Sequence, residues 1–435
     1  MLSLEENELL TNTNKGTPMG ELFRRFWVPI GLSEEAPGPD SDPVRIRIMG
    51  EDLIMFKDSE GRIGLVDAYC PHRGAPMFFG RNEESGLRCV YHGWKFDVEG
   101  NCVDLPNAPE GETFKNKVTI DHYPCFEGGG FVFAYMGPKH LMPPKPAFEW
   151  LDLPQANYFS KKFRLECNWL QAQEGDFDPS HGRFLHSTLD NNNSNPGNRL
   201  SGQNLGVATG RQYFSYHSIE DTDVGMLFTT VQEMSNGKMS VGSLPWMMPM
   251  FCVPGVAGLT IFSSNMRVPI DNTSMMFFRL RWSREPIPAT ELREYTQGGY
   301  VYPEMIPGTW KTKANVFNSY EIDRVAQRNY SFTGIKTFPL QDIAMMEDQW
   351  GPLADRRKEH LTSSDEGIIR IRRRLIRACR ALMEGKEPTE PWHPEGFRQN
   401  RARTIINPGE NLDAAIAAVK SAATSWEVPA GQLQL

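Results

Sequence analysis

Two cysteine–histidine pairs carry the clearest chemistry in the sequence. Cys70 and His72 form the first pair, Cys89 and His92 form the second, and sixteen residues separate His72 from Cys89. Two thiolates and two imidazoles can hold one tetrahedral zinc ion. They can also hold a cluster of two irons and two sulfides, with the cysteines on one iron and the histidines on the other. The spacing therefore predicts a metal centre built from two loops.

The residues around the two pairs favour the iron–sulfur cluster. A cluster is larger than one ion, so its two loops must approach from opposite sides and leave room for the sulfides. Pro71 stiffens the first loop, while Gly74 and Gly93 allow close approach of the backbone and its amides. Histidine ligation raises the reduction potential relative to an all-cysteine cluster. We therefore expect a centre that accepts electrons from a reductase and passes them on through histidine edges near the surface.

A second candidate metal site lies further along the chain. His181 and His186 could supply two ligands of a facial triad for Fe(II), which needs one carboxylate and leaves positions open for O2 and substrate. Asp178 followed by Pro179 predicts a helix N-cap with proline at the first helical position. Residues five apart on a regular helix are separated by about 140°. The histidines therefore converge only if the helix is distorted or ends there, which Gly182 makes tolerable.

The third ligand of this site must be a carboxylate downstream of the histidines. The best segment is 338–352, which contains Asp342, Glu347 and Asp348. The residue types alone leave the choice among these three carboxylates open.

The first 140 residues are predicted to form a helical segment and a small β domain, two of the elements that must position these sites. Residues 1–26 are predicted to be helical, because Thr17 precedes Pro18 and an apolar run. Residues 27–140 alternate short apolar runs with Gly and Pro, which predicts a small antiparallel β domain. The clearest of these runs are 44–48, 52–56 and 131–136.

A larger domain is predicted over residues 141–435, after a proline-rich linker at 141–146. It contains a long strand at 274–282, an amphipathic helix that begins near residue 363, and a last helix at 412–423. The expected fold class is α+β, with a small antiparallel β domain and a larger domain of central antiparallel sheet and flanking helices.

Composition excludes several classes of protein. The net charge of −8 argues against a nucleic-acid partner, although an acidic surface either suits docking to a basic protein patch or merely aids solubility. No apolar run approaches the roughly 18 residues of a membrane span, and the acidic N-terminus lacks the apolar region of a signal peptide. Seven cysteines are too few and odd in number for a disulfide framework, so we expect a cytoplasmic protein.

Both metal motifs resemble those of the Rieske non-heme iron oxygenase alpha subunits. The first matches the Rieske signature, Cys-x-His followed by Cys-x-x-His, and the second matches the Asp-x-x-His-x4-His pattern of the same family. The resemblance extends over roughly residues 1–385 and is to the phthalate dioxygenase branch. It includes the segments 16–27, 321–328, 332–335, 355–361 and 364–365. Members of this branch hydroxylate or demethylate aromatic acids and related aryl compounds.

The resemblance implies roles for three further residues. Asp342 is identified as the third iron ligand, because it follows Phe-Pro-Leu-Gln as the ligand does in similar proteins. Asp178 resembles the aspartate that links an iron-ligand histidine to a cluster histidine of the neighbouring subunit. Asn168 resembles an asparagine close to the iron, and the alternative is an asparagine that only satisfies backbone groups.

The resemblance also implies cofactors and partners. The cofactors are a [2Fe-2S] Rieske cluster and a mononuclear Fe(II), with O2 as co-substrate. Electrons come from a flavin and iron–sulfur reductase that oxidises NADH or NADPH. Within one subunit the two centres of this family lie too far apart for fast transfer, which implies a homotrimer or stacked trimers. Two other hypotheses are an electron-transfer protein with a Rieske cluster only and a zinc-stabilised binding module.

The segment between Arg211 and Arg267 bears on the substrate. Its only Lys or Arg is Lys238, and it is rich in large apolar side chains: Met226, Phe228, Met234, Met239, Trp246, Met247, Met248, Met250, Phe251 and Met266. A small dianion would need paired arginines, so phthalate itself is not expected. A bulky, largely apolar aryl ether or monocarboxylate suits such a wall better. Alternatively, the methionines pack an ordinary core.

Overall fold

A computed structural model describes residues 2–109, 111–189, 215–234, 236–254, 261–299 and 301–424. The described residues form nine α-helices: α1 (Leu4–Thr11), α2 (Pro18–Arg24), α3 (Trp169–Gly175), α4 (Gly182–Leu185), α5 (Ala289–Thr296), α6 (Arg324–Asn329), α7 (Phe338–Glu347), α8 (Glu366–Met383) and α9 (Leu412–Thr424). The predicted N-terminal helical segment is confirmed as α1 and α2. The Thr17 hydroxyl caps α2 by accepting from the Gly20 amide at 3.3 Å. The two predicted late helices are α8 and α9.

Three small antiparallel sheets occupy the described residues before position 140. Their strand orders are β1 (Trp27–Leu32)–β11 (Phe131–Tyr135)–β10 (Cys125–Gly128), β2 (Val44–Ile48)–β3 (Glu51–Lys57)–β4 (Ile63–Asp67)–β9 (His122–Tyr123), and β5 (Arg81–Glu83)–β6 (Gly86–Arg88)–β7 (Lys95–Phe96)–β8 (Cys102–Asp104). The loop that carries Cys70 and His72 joins β4 to β5. The loop that carries Cys89 and His92 joins β6 to β7. A separate small core, which includes both cysteines, lies beneath the two loops.

One large antiparallel sheet of eight strands organises the rest of the chain. Seven strands follow the order β12 (Tyr158–Leu165)–β18 (Met275–Trp282)–β17 (Phe262–Pro269)–β16 (Phe251–Cys252)–β15 (Met239–Met247)–β14 (Gly225–Glu233)–β13 (Tyr216–Thr222), and β19 (Ala402–Ile406) pairs with β15. The strand predicted at 274–282 is β18, in the interior of this sheet. The predicted α+β class, with a small β domain and a larger sheet-based domain, is confirmed.

The two faces of the large sheet contact different parts of the molecule. Phe278 of β18 points towards the small sheets, where its ring lies 5.9 Å from the ring of Phe131. Because neighbouring residues on a strand point to opposite faces, Phe277 points the other way. On that side Arg267 of β17, the register partner of Phe277, donates to Asp176 at the end of α3. We call the side of Arg267 and Phe277 the helix face.

A buried ion network fixes α3 against α8. Glu174 of α3 accepts from Arg372 of α8 at 2.6 Å and from Arg356 at 3.0 Å. Burial alone would raise the pKa of Glu174, but the two guanidiniums instead hold that pKa below its ordinary value. The network therefore places the end of α3, and the segment that follows it, at a defined position above the helix face.

The hydrophobic cores do not divide at the predicted domain boundaries. The sheet β1–β11–β10 shares one continuous core with α1, α2 and the large sheet, whereas the core beneath the Cys–His loops is separate. The division into residues 1–26, 27–140 and 141–435 stays a prediction. None of the helices in the described ranges is both long and apolar enough to cross a membrane.

Candidate metal centres

The two Cys–His loops have the same backbone design. In each, the cysteine amide donates to the carbonyl five residues on at 2.8 Å, and a glycine amide donates back to the cysteine carbonyl at 2.9 Å. The glycines are Gly74 and Gly93, with φ of +70° and +79°. Only glycine adopts this left-handed conformation without strain, so both turns depend on it. The loops face each other as two halves of one site.

The side chains of the two loops converge on one another, and no disulfide joins them. Cys70 and Cys89 are free thiols, each 2% exposed. Burial raises the pKa of Cys70 to about 11, so a positively charged metal must displace its proton on binding. The rings of His72 and His92 lie 4.5 Å apart, and His72 stacks on Trp94 at 4.4 Å. The Nδ1 atom of His72 is buried and has no hydrogen-bond partner among the described residues, as expected of a metal ligand.

The spacing of these four residues fits a cluster better than one zinc ion. A tetrahedral zinc would bring its ligand atoms to within about 3.8 Å of one another. Within the described ranges, the only group of three or more His, Cys, Asp or Glu with all ligand atoms inside 4.8 Å is a different one. No three of the four Cys–His ligand atoms are that close together, which fits the larger two-iron cluster better than a single ion.

That compact group consists of His181, His186 and Asp342. The Oδ1 atom of Asp342 lies 3.0 Å from Nε2 of His186 and 3.5 Å from Nε2 of His181. The Nε2 atom of His186 is buried, and within the described ranges no polar group other than this carboxylate lies against it. Two imidazole nitrogens and one carboxylate oxygen that converge in this way form the ligand set of a facial triad.

The chain achieves this convergence by ending a helix early. The prediction that the helix starts at Pro179 is wrong, because α4 begins at Gly182 and residues 178–181 form a turn. The helix lasts one turn, and His186 lies beyond its end with φ −100° and ψ 13°. The expectation that the helix would have to end between the histidines is confirmed, and both rings reach one point.

Hydrogen bonds at the far side of each ring determine which nitrogen is free. Nδ1 of His186 donates to Oε1 of Gln341 at 2.7 Å, and Gln341 is oriented in turn by donation to the Ile335 carbonyl at 2.9 Å. Nδ1 of His181 donates to the Asp178 carbonyl. Both rings therefore present an unprotonated Nε2 when neutral, which is the tautomer a metal requires. Phe338 stacks on the His186 ring at 3.5 Å and restricts its rotation.

Electrostatics keep Asp342 charged. Burial alone would raise the pKa of Asp342, but the imidazoles of His186 and His181 lower it well below its ordinary value. Burial opposes the charged form of His181, but Asp342 and Asp178 raise the pKa of His181 to about 9. Without a metal, the Asp342 carboxylate therefore pairs with a protonated His181 ring. A divalent cation can replace the proton of that ring as the positive partner of the carboxylate.

The rival carboxylates lie elsewhere. Glu347 accepts from the Glu166 amide at 2.9 Å and from the Tyr320 hydroxyl at 2.8 Å, which occupies both of its oxygens. Asp348 is exposed at the end of α7. The structure therefore brings Asp342 to the histidines, and not Glu347 or Asp348.

Asp178 and Asn168 differ in their relation to this group. Oδ2 of Asp178 lies 3.8 Å from Nδ1 of His181, and Oδ1 accepts from Ser180 Oγ at 2.5 Å. Asn168 is fully buried, donates to the carbonyls of Thr11 and Asn272, and accepts from the amide two residues on. All three bonds go to backbone groups, which matches the alternative reading of Asn168 and gives it no contact with the triad.

Comparisons with known proteins place the chain in a family. Residues 26–124 match the Rieske [2Fe-2S] domain, and residues 227–395 match the family described as LigXa C-terminal domain like. The phthalate 4,5-dioxygenase oxygenase subunit of Pseudomonas putida is 36% identical over 391 residues, which are 89% of this chain and 88% of that protein. The chain belongs to the Rieske oxygenase alpha subunits.

Two other matches agree with this family. The 5,5'-dehydrodivanillate O-demethylase oxygenase subunit of a Sphingobium species is 35% identical, over 89% of this chain and 83% of that protein. The solved structure of the NdmA QL mutant with theobromine, from Pseudomonas putida CBB5, superposes with a TM-score of 0.57. The superposition covers 90% of this chain and 98% of the NdmA chain. Their sequence identity is 17%, so the similarity establishes the fold alone.

Family membership confirms the predicted enzyme class and cofactors. The protein is a Rieske non-heme iron oxygenase that uses a [2Fe-2S] cluster, a mononuclear iron and O2. The two rival hypotheses, an electron carrier without oxygenase chemistry and a zinc-stabilised binding module, are wrong. The fit of the residues around both sites agrees with this conclusion.

Gln341 and Phe338 contact His186 of the candidate iron site, and the sequence reasoning did not identify them. Both lie on α7 near Asp342, and Phe338 is four residues before it, in the i, i+4 relation that places two side chains on one face. That spacing was the available signal, but it becomes informative only once Asp342 is known to face the histidines.

The Cys–His loops of this Rieske oxygenase yield a first prediction. A Cβ atom at Gly93 would lie 2.6 Å from Cγ of Pro106, so Gly93→Ala adds a clash to the strain of a positive φ. We expect the variant to lose most of its visible cluster absorbance. Gly61 has φ +81° in the β3–β4 turn and open space around its Cβ position, so Gly61→Ala is the matched control. It should cost only about 1 kcal/mol of stability. Equal cluster content in the two purified variants would contradict the prediction.

Proposed function

We propose that this oxygenase hydroxylates or O-demethylates a bulky, largely apolar aromatic substrate, with its mononuclear iron held by His181, His186 and Asp342. The observation that carries the proposal is the convergence of both Nε2 atoms on Oδ1 of Asp342, at 3.0 and 3.5 Å. We further propose that Cys70, Cys89, His72 and His92 hold the cluster. When bound at these residues, the cluster would supply single electrons and the mononuclear iron would supply the O2 chemistry.

The residues of the chain then have separate tasks. His181 and His186 bind through Nε2, while the Asp178 carbonyl and Gln341 hold the opposite Nδ1–H groups in place. Asp342 would contribute the single anionic ligand of the metal beside two neutral imidazoles. The Phe338 ring covers His186 and limits water on that side.

Support for an aromatic substrate comes from the relatives, which are named for phthalate and for 5,5'-dehydrodivanillate. The methionines that suggested an apolar wall are in a different position. Met226, Met247, Met248, Met250 and Met266 are buried in the main core, and Met239 packs against the core of α9, in agreement with the core-packing alternative. Arg211 lies outside the described residues. Register places Trp246 and its partner Met226 on the helix face with Asn265, so these two core residues are the ones nearest to the candidate iron-site segment in the sheet.

We propose that the electron donor is an NAD(P)H-dependent flavin and iron–sulfur reductase, and that the subunits assemble as trimers or stacked trimers. The exposed apolar side chains around the cluster loops are compatible with protein contacts there. Tyr69, Val90 and Tyr91 are each more than half exposed, at 51%, 56% and 57%. Exposed apolar groups clustered at one site are typical of interaction surfaces.

A substrate screen tests the proposed function. Purified protein with both metals, a surrogate reductase and NADH would be incubated with aryl ethers and aryl carboxylates, and O2 uptake and product mass would be followed together. We expect one class to give a product that is heavier by oxygen or lighter by a methyl group, with O2 uptake in proportion. O2 uptake that does not depend on any aromatic compound, with no change in product mass, would contradict the proposal.

A further inference from the structure

A side chain from outside the second Cys–His loop holds that loop in place. Arg88, the last residue of β6, donates from Nη1 to the carbonyl of Gly93 at 2.9 Å. Gly93 is the glycine whose amide closes the turn onto the Cys89 carbonyl. The side chain of Arg88 therefore spans the loop, because its residue directly precedes Cys89 and its guanidinium reaches the residue that follows His92.

The second loop needs such a contact more than the first. The first loop has one residue between its cysteine and its histidine, and that residue is Pro71, whose ring fixes φ. The second loop has two residues there, Val90 and Tyr91, and neither fixes φ as proline does. Both are more than half exposed, so packing orders them little. The contact from Arg88 supplies a restraint that the residues of the second loop do not.

Two carboxylates orient the Arg88 guanidinium. Its Nε donates to Oε1 of Glu83 at 2.9 Å, and its Nη1 donates to Oδ2 of Asp104 at 2.6 Å. These partners end β5 and β8, the two outer strands of the sheet β5–β6–β7–β8. Charge-assisted bonds of this length are strong and directional. The guanidinium therefore has little freedom to move away from the Gly93 carbonyl.

The segment that follows Asp104 contacts the same part of the loop. Asn107 accepts from Nε1 of the Trp94 indole at 2.8 Å, and Pro106 lies where a Cβ atom at Gly93 would clash. Because a peptide group is planar, fixing the Gly93 carbonyl also fixes the direction in which the backbone enters Trp94. Arg88 and residues 104–107 thus restrain both the backbone and the indole of Trp94.

Trp94 transmits this restraint to the first loop. Its indole stacks on the His72 ring, with the ring centroids 4.4 Å apart and an angle of 10° between the planes. His72 is a proposed ligand of the cluster, and the stacked indole limits the orientations that its ring can adopt. A continuous series of contacts therefore leads from Arg88 through the Gly93 carbonyl and Trp94 to His72.

We propose that Arg88 is a positioning residue that determines how readily the [2Fe-2S] cluster accepts an electron. Reduction adds one negative charge to the cluster, which a guanidinium beside the loop favours. The net charge around a cluster and the groups that orient its ligands both set its reduction potential. This inference rests on the proposed function, because it places the cluster at Cys70, His72, Cys89 and His92.

An anaerobic redox titration of the metal-loaded protein tests the proposal. Visible absorbance and the paramagnetic signal of the reduced cluster would be followed in the wild type and in Arg88→Met, with dithionite as the reductant. The substitution removes the positive charge beside the loop and leaves the Asp104 carboxylate without its salt bridge. At a given applied potential, we expect the ratio of reduced to oxidised cluster to fall at least about tenfold, which is about 59 mV for one electron. The paramagnetic signal should change as well, because His72 is held less firmly.

Arg81→Met is the matched control. Arg81 is 69% exposed and pairs with Glu83 at 2.7 Å, so its loss removes one positive charge from the same network and leaves the contact with Gly93 intact. Because solvent and salt screen an exposed charge, we expect the control to keep the reduction potential and the paramagnetic signal of the wild type. A shift in Arg88→Met that is no larger than the shift in Arg81→Met would overturn the proposal.

Arg88→Lys separates the charge of the side chain from its geometry. Lysine keeps the positive charge, but one ammonium group cannot reproduce the planar fork that joins Glu83, Asp104 and the Gly93 carbonyl. We expect a reduction potential closer to that of the wild type than in Arg88→Met, and a paramagnetic signal that is still altered. A wild-type signal in Arg88→Lys would overturn the positioning role. If Arg88→Met does not retain the cluster, the comparison of Arg88→Lys with Arg81→Met decides.

The same measurements distinguish this proposal from the proposed function. A wild-type protein that shows no paramagnetic signal on reduction, after it has been loaded with iron and sulfide, would contradict the placement of the cluster at the Cys–His loops. A reducible wild-type cluster that does not respond to substitution of Arg88 would contradict only the role of Arg88.

Discussion

Replacing Asp342 with asparagine is expected to remove the mononuclear iron and all product formation while leaving the cluster in place. Asp342 is the only anionic member of the compact group, and its Oδ1 atom is the point on which both histidine Nε2 atoms converge. An amide oxygen at the same position carries no charge, so two neutral imidazoles would have to hold a divalent ion almost alone. Iron content should fall from about three to about two per chain.

The same helix offers a matched control for this substitution. Asp348→Asn makes the same chemical change six residues later, at an exposed position at the end of α7. It should retain about three irons per chain and full product formation. Iron analysis, visible absorbance and the paramagnetic signal of the reduced cluster would be measured on both variants. Loss of iron from Asp348→Asn, or full iron content in Asp342→Asn, would show that the third ligand has been assigned to the wrong carboxylate.

The features that the sequence predicted well are those with short-range physical causes. Thr17 before Pro18 specifies a helix start by one hydroxyl–amide bond, and the structure has that bond at 3.3 Å. The apolar run that predicted a strand at 274–282 lies in the interior of a sheet, where both faces are covered. The turns of the two Cys–His loops also have a short-range cause, because their positive φ angles require glycine at positions 74 and 93.

The iron site shows where short-range reasoning stops. An Asp-Pro pair usually starts a helix, yet here Asp178 Oδ1 closes a turn onto the Ser180 and His181 amides, at 3.0 and 3.3 Å, and α4 begins later. The choice of Asp342 over Glu347 came from resemblance, since all three carboxylates lie in one short segment. Only the packing of α7 against the His181–His186 segment separates them, and this contact spans more than 150 residues of chain.

Arg279 and Arg281 of β18 show a second limit, which concerns strand register. A sequence gives no direct sign that Arg279 and Ser263 belong to neighbouring strands or that their side chains share a face. A shift of one residue would move both arginines to the opposite face, where Phe278 packs against Phe131. The structure supplies the register, which places both arginines on the helix face with Asn265 and Ser263.

Changing Asp178 to asparagine is expected to leave both metals bound and to slow product formation by roughly 10–100-fold. The backbone carbonyl of Asp178, not its side chain, accepts from Nδ1 of His181, so the tautomer that binds iron survives the substitution. What is lost is the negative charge of Oδ2, 3.8 Å from that same nitrogen. Ser180→Ala is the control, because it removes only one donor to Asp178, at 2.5 Å, and keeps the charge.

Single-turnover measurements with a pre-reduced cluster would locate the effect. If Asp178 links the iron site to the cluster of a neighbouring subunit, Asp178→Asn should slow reoxidation of the cluster by the same factor as product formation. Ser180→Ala should change neither rate substantially. Co-assembly of a Cys89→Ser chain, which cannot form a cluster, with an Asp342→Asn chain, which cannot hold the mononuclear iron, adds a direct test of transfer between subunits. Because neither chain is competent alone, activity in the mixed assembly requires electrons to cross the interface, and an inactive mixed assembly with both metals present would place the relay within one subunit.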